Sequence, residues 1–174
     1  MVSGPVSFLL ARPVADYING QRNQLEKTGK VIPGHHRERL RHYFRHADLD
    51  RVRILERESL LIPALPFSDT ARRLGLDLPD LSLVAAITFD RVIASRQPLT
   101  SALLFHELVH VVQFRLLGVS AFARLYVRGL LMAGSYDGIP LERCVAELDC
   151  RFETEATPFD VEREVAGWIE RGLL

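Results

Sequence analysis

Little in this chain supports covalent cross-linking, membrane insertion or a field of one sign. Cysteine is scarce: Cys144 and Cys150 are the two present, six apart in what reads as one helix. That spacing puts them on different faces, so no mutual disulfide is expected, and a small oxidised scaffold is excluded. No uncharged apolar run reaches the roughly 18 residues a membrane span needs. Ala121 to Ala133 comes nearest, and Arg124 and Arg128 interrupt it. Met1 to Leu10 has no basic leading region and runs into Arg12-Pro13, which makes a poor signal peptide. The expectation is a soluble, cytoplasmic protein with no membrane span. Lys and Arg number 22, as do Asp and Glu, so no global field favours nucleic acid or a membrane surface. Internal repeats and low-complexity segments are also missing.

What remains is an ordinary globular composition, 48% hydrophobic and 25% charged over 174 residues, enough for one domain with a real core. The reading is a single domain over 1–174: an N-terminal helical segment at 1–50, a core at 51–153 and a C-terminal helix at 154–174. Charge is spread unevenly. Residues 21–60 carry ten Lys/Arg against six acids, and residues 141–170 carry three Arg against nine acids. The simplest account is that these halves face each other or are solvated.

Hydrophobic periodicity and breakers give the elements. A helix is expected over Val14–Lys27, ending at Thr28-Gly29, and a surface helix over His35–His46 with Leu40, Tyr43 and Phe44 as its stripe. Val52–Leu55 reads as a short edge strand, and one helical turn is expected at Asp69–Leu74 within the proline-rich stretch 61–79. Leu83–Thr88 and Arg91–Ala94 are β-favouring runs with a tight connection near Phe89-Asp90, a hairpin over about 83–95. Helices follow at about 98–117, opened by Pro98 with Thr100 or Ser101 as cap and stopped by Gly118, then at 120–132 and 140–152. The last helix opens on Thr157-Pro158-Phe159-Asp160 with Pro158 at its first position. Val161, Val165, Trp168 and Ile169 form its apolar face. The class is α+β, mainly helical with a small sheet.

The chemistry concentrates in His106-Glu107-Leu108-Val109-His110. Histidines four apart on a helix lie on one face about one turn apart, so both imidazoles can reach a single ion. Glu107 sits beside that face and can take a proton from an attacking water and pass it to a leaving amine, while zinc lowers the pKa of a bound water to about 7. Leu103, Leu104, Phe105, Leu108, Val109, Val111 and Val112 make the helix apolar almost all round, so it must be buried. Two histidines and a glutamate in such a place are costly unless paired or coordinated.

Catalytic zinc usually has three protein ligands and an open position. No histidine follows His110, so a carboxylate is needed, and Glu142, Glu147, Asp149 and Glu153 are the candidates. In the helix 140–152, Leu141, Val145, Leu148 and Phe152 form the buried stripe. Glu142 and Asp149 share one flank of it, roughly 20° apart, and Glu147 projects nearly opposite. Glu142 is therefore the better ligand, with Asp149 as an orienter of a histidine.

The runs His106-Glu107-Leu108-Val109-His110-Val111-Val112-Gln113 and Tyr136-Asp137-Gly138-Ile139-Pro140-Leu141-Glu142-Arg143 resemble the minimal gluzincin-type zincins of bacteria, small metallopeptidase-like domains. The hairpin 85–93 is similar to the strand pair before the zinc helix there. The resemblance covers about residues 50–153. It implies zinc at His106, His110 and Glu142 with Glu107 as general base. That family often has alanine three residues after the ligand glutamate, where this chain has Val145 and then Ala146, which keeps Glu147 open as the third ligand. In zincins the strand beside the metal helix pairs with extended peptide, and the hairpin edge can do so here. Tyr136, in a glycine-flanked loop, is the candidate donor to the transition-state oxyanion, whereas Tyr126 reads as core.

Two readings result. One is a zinc-dependent metallopeptidase or related amide hydrolase acting on a peptide or protein in a shallow groove. The other is a non-catalytic module with structural zinc, binding an acidic partner or nucleic acid through the basic 35–57 region, with Arg37, Arg39, Arg41, Arg45, Arg51, Arg53 and Arg57. Interspersed acids weaken the second, and a structural site needs no Glu107. His42 and His46 are also four apart, but no acid follows His42 and arginines surround the pair. Cys144 falls on the other flank of its helix from Glu142 and reads as a small part-buried thiol.

Overall fold

The computed structural model describes residues 3–66, 68, 73, 84–133 and 136–174. In chain order they form α1 (Ser3–Leu25), α2 (Gly34–Leu40), α3 (His46–Arg51), β1 (Arg53–Glu56), β2 (Ala86–Phe89), β3 (Val92–Ser95), α4 (Ser101–Leu117), α5 (Val119–Ala133), α6 (Pro140–Thr154) and α7 (Val161–Glu170). The mixed, mainly helical class expected from periodicity is what is found. The expected turn at Asp69–Leu74 lies outside the described residues, save for Arg73.

The three strands form one sheet in the order β1-β3-β2, with β1 parallel and β2 antiparallel to β3. Period-two alternation sends β3 side chains to two different cores. Val92 and Ala94 join Leu55, Phe89 and residues of α1 and α5 on one face, while Ile93 joins Ile54 and most of α4 on the other. Phe89 pairs with Val92 as the last rung of the hairpin, so the turn is Asp90-Arg91 rather than Phe89-Asp90. Asp90 has φ 58°, a left-handed conformation aspartate tolerates, and its carboxylate accepts from Arg22 of α1 at 3.0 Å.

Helix α4 is the central element. Thr100 caps it, its hydroxyl accepting from the Leu103 N–H at 3.1 Å, and Pro98 lies before the cap instead of in the first turn. The Leu99 N–H donates to Glu56 at 2.6 Å, which ties the helix entrance to the end of β1. Gly118, at φ 75°, ends α4 with its N–H on the Phe114 carbonyl, and α5 leaves at 115°. Ten residues of α4 are buried, as its all-round apolar composition requires. No single helix among the described residues is long and apolar enough to cross a membrane.

Several expected boundaries move. Helix α1 begins well before Val14 and carries Pro13 inside it. The helix expected over 35–46 splits: α2 ends at Leu40, residues 41–43 turn, and Arg45 is extended at ψ 142° before α3. The break lets Phe44 and Leu49 both reach the core and buries Asp48, whose carboxylate forms an ion pair with Arg115 of α4 at 3.0 Å. At the C-terminal helix the cap is Asp160, accepting from the Arg163 N–H at 3.2 Å, so Pro158 is outside α7. Arg45 and Arg115 both pair with Glu162 of α7, one place where the basic and acidic halves meet.

Candidate metal centre

Two elements build the centre, and a close approach brings them together. The N-terminus of α6 is set by a turn in which the Ile139 N–H donates to the Tyr136 carbonyl at 3.0 Å, followed by Pro140 at the first helical position. It lies directly on Gly129 of α5: a β-carbon there would stand 2.8 Å from Pro140 Cδ and 3.0 Å from Ile139 Cγ2. Glycine is what allows this contact. Two residues later Glu142 points back at α4.

His106, His110 and Glu142 each offer a ligand atom, all within 4.8 Å of one another. The His110 Nε2 to Glu142 Oε2 distance is 3.4 Å. Donors held tetrahedrally at zinc distances of about 2.1 Å are themselves about 3.4 Å apart, so this pair already has the right spread. Both histidines have Nδ1 engaged away from that point. His106 Nδ1 lies 2.7 Å from Asp149 Oδ2, and His110 Nδ1 lies 2.9 Å from Gln113 Oε1. With Nδ1 held against an acceptor, Nε2 is the nitrogen left to face a metal, as ligation demands. Two imidazoles and a carboxylate suit zinc by number and donor type.

Glu142, expected as the third ligand, is the carboxylate of this cluster, and Asp149 accepts a hydrogen bond from His106. Glu147 is exposed and outside the cluster. Glu107 is 3% exposed, and the Thr88 hydroxyl of β2 lies 2.6 Å from its Oε2. Burial raises the Glu107 pKa, against the opposing pull of His110 and His106. Burial also works to lower that of His110, but the charge and hydrogen bond of Glu142 outweigh it and push it up to about 9. Glu142 is the mirror case: burial acts to raise it, yet His110 and a hydrogen bond from Tyr136 hold it below the usual carboxylate range. The environment favours positive charge between these side chains.

Tyr136 is 37% exposed, with its hydroxyl donating to Glu142; burial and that carboxylate raise its pKa strongly. Tyr126 is half-buried near the same carboxylate. His42 and His46 are exposed on separate segments, His46 opening α3. Cys144 is fully buried rather than part-buried, and burial pushes its thiol up to about 12. In the basic region, Arg37 pairs with Asp50, Arg41 with Glu38 and Arg45 with Glu162, while Arg53 donates to backbone carbonyls and Arg39 lies over the Phe152 ring.

An open cleft of about 580 Å³ runs past His106, Glu107, Tyr136 and Asp149, bordered by Ala86 of β2. Among the described residues, strand β2 is an edge of the sheet. In a hairpin closed by the Phe89–Val92 pair, Phe89 and Ile87 bond to β3, so the backbone groups of Ala86 and Thr88 face outward.

Thr88, Gln113 and Gly129 are the residues that sequence reasoning did not single out. Gln113 had a signal, since it follows His110 by three and so shares its helical face. Thr88 and Gly129 act across the fold and left none. Against protein-family models, curated proteins and solved structures the chain finds no match, so the reading rests on the site itself.

Proposed function

We propose that this chain is a zinc-dependent hydrolase of the gluzincin type, and that it cleaves peptide bonds or closely related amides. The observation that carries the reading is the convergence of His106, His110 and Glu142 with the buried carboxylate of Glu107 beside them at an open cleft.

Zinc held by His106, His110 and Glu142 would supply Lewis acidity, polarising the scissile carbonyl and acidifying a water. The chain's own groups do the rest. Asp149 and Gln113 hold the two imidazoles in the tautomer that presents Nε2. Glu107 takes the proton of the attacking water and returns it to the leaving nitrogen, and the burial that raises its pKa makes it a stronger base. Thr88 fixes the carboxylate and belongs to the strand whose outward backbone groups can pair with extended substrate. Tyr136 can turn its hydroxyl from Glu142 to the developing oxyanion. A purely structural zinc would leave Glu107 without a task, and the binding-module alternative needs basic side chains that are here mostly engaged with partners.

The test is a quenched-fluorescent peptide library incubated with zinc-loaded protein. Metal-dependent cleavage that Glu107→Gln abolishes while retaining zinc is expected. Equal cleavage by parent and Glu107→Gln overturns the mechanism.

A further inference from the structure

One buried titratable side chain stands apart from the metal centre. Helix α2 has seven residues and no side-chain cap at its start, and its buried side chains are His36 and Leu40. So short a helix has little stability of its own and depends on what its buried side chains touch. Leu40 supplies hydrocarbon contact, whereas His36, 8% exposed, makes polar ones. Its Nδ1 lies 3.0 Å from the hydroxyl of Ser101, the first residue of α4, and the ring makes a further hydrogen bond to the Leu99 backbone. The Leu99 N–H is itself held by Glu56 of β1 at 2.6 Å. His36 thus joins α2 to the point where β1 and α4 meet.

We propose that His36 is an acid-released latch: neutral, it holds α2 on the entrance of α4, and protonation parts the two. The inference is independent of the hydrolase reading. A cation at this place has poor company. It would lie at the N-terminal end of α4, where the helix dipole is positive. On its own helix the His35 ring packs against it with centroids 4.0 Å apart, and Arg39 adds a positive charge. From α4 its neighbour is the neutral Ser101 hydroxyl. From β1 the Glu56 carboxylate opposes these effects, but that group already accepts from Leu99. Burial first and His35 next hold the His36 pKa below the ordinary histidine value, with a smaller push from Arg39, against the Leu99 bond and Glu56. The folded state therefore takes up this proton less readily than the unfolded chain, whose histidine titrates near about 6.5. Above that pH the ring is neutral in both states, and the stability it contributes is lost as pH falls below it. Release would reach the metal helix. Tyr43 and Phe44 follow α2 within four residues and pack edge-on against Phe105, at 5.6 and 5.3 Å, one residue before His106.

The experiment is hydrogen exchange read by mass spectrometry on the full-length protein from about pH 7.5 to about pH 5, corrected for the intrinsic pH dependence of exchange. One group changes an opening constant by at most about tenfold per pH unit. In the parent, protection of residues 34–44 and 99–104 should fall by roughly three- to tenfold more than that of α5 over this range. His36→Gln keeps hydrogen-bonding atoms but takes up no proton, and should remove this excess loss. The other histidines are common to parent and variant, so the difference isolates His36. His35→Ala, at an exposed position, lifts one cause of the shift and should lessen the loss. Glu56→Gln keeps an acceptor for Leu99 but removes the opposing charge, and should deepen it. If His36→Gln fails to fold, these two variants still have to move the loss in opposite directions. No local loss in the parent by about pH 5, the same loss in folded His36→Gln, or no opposed shift in the other two variants overturns the latch.

Discussion

Gln113 holds His110 in one tautomer. Its Nε2 donates to the Leu141 carbonyl at 3.0 Å, which fixes which end of the amide faces the histidine. The other end, Oε1, then has to accept from His110 Nδ1 at 2.9 Å. Gln113 is fully buried, so neither group has water as an alternative. One side chain thus orients the second histidine and grips the backbone next to Glu142.

Replacing Gln113 by Leu keeps the volume roughly constant and removes both bonds. Zinc affinity should fall about 10–100-fold, and stability by about 1–3 kcal/mol for the buried groups left unpaired. Gln113→Glu keeps an acceptor for Nδ1 and should recover part of the metal affinity. Competition with a chromophoric chelator reads the first effect, and urea unfolding reads the second. Unchanged affinity in Gln113→Leu would refute the positioning role.

Thr88 has a corresponding role for Glu107. Removing its hydroxyl in Thr88→Val takes away the 2.6 Å contact to the carboxylate without emptying the site. A charge-assisted hydrogen bond is worth about 1.5–3 kcal/mol, so kcat should drop by roughly tenfold or more while KM and zinc content stay near parent values. A loss expressed in KM alone would place Thr88 in substrate binding instead.

Gly129 tests how α6 is docked. A methyl group there would meet the Pro140 ring at 2.8 Å, and a proline ring on a helix N-terminus cannot swing aside. Gly129→Ala should destabilise by about 1–3 kcal/mol through overpacking, despite alanine's better helix propensity. Because Glu142 follows by two residues, zinc affinity should fall as well. Thermal melts with and without zinc separate the two effects.

Acid stability can be checked away from the centre. Arg91 donates twice to Glu26, at 2.7 and 2.8 Å, and this bond, with the Arg91 charge, holds the Glu26 carboxyl below its ordinary value against the opposing effect of burial. The folded state therefore binds the proton less readily than the unfolded state. Stability from this pair is complete above the unfolded glutamate pKa of about 4.3 and is lost as pH falls through the lower folded value. Glu26→Gln should be less stable than parent above about pH 5 and converge with it in acid. A gap that stays constant down to pH 2–3 would show that the pair does not titrate this way.

Much of the centre was legible because its signals are local. His106 and His110 share a face by helical spacing, Glu142 and Asp149 share a flank for the same reason, and Thr100 and Gly118 mark the ends of α4 by cap chemistry. The contacts that complete the site are not local. Thr88 meets Glu107 only once the hairpin packs on α4, and Gly129 has meaning only when α6 lies on α5. Along the chain, the first helix is expected from Val14 although α1 starts earlier and passes through Pro13, and Pro158 reads as a helix start although the Asp160 side chain supplies the cap. The stripe of Leu40, Tyr43 and Phe44 suggested one helix, but burial of both Phe44 and Leu49 is met by breaking it. In each case tertiary packing overrode a local preference.

The most direct test of the central claim is elemental analysis of the purified protein after zinc loading and removal of excess metal. One zinc per chain is expected in the parent, in Glu107→Gln and in Glu147→Gln, with loss of most of it in His106→Ala and Glu142→Ala. Zinc content that is negligible in the parent, or the same in His106→Ala and Glu142→Ala as in the parent, would contradict the assignment of these side chains as a metal centre.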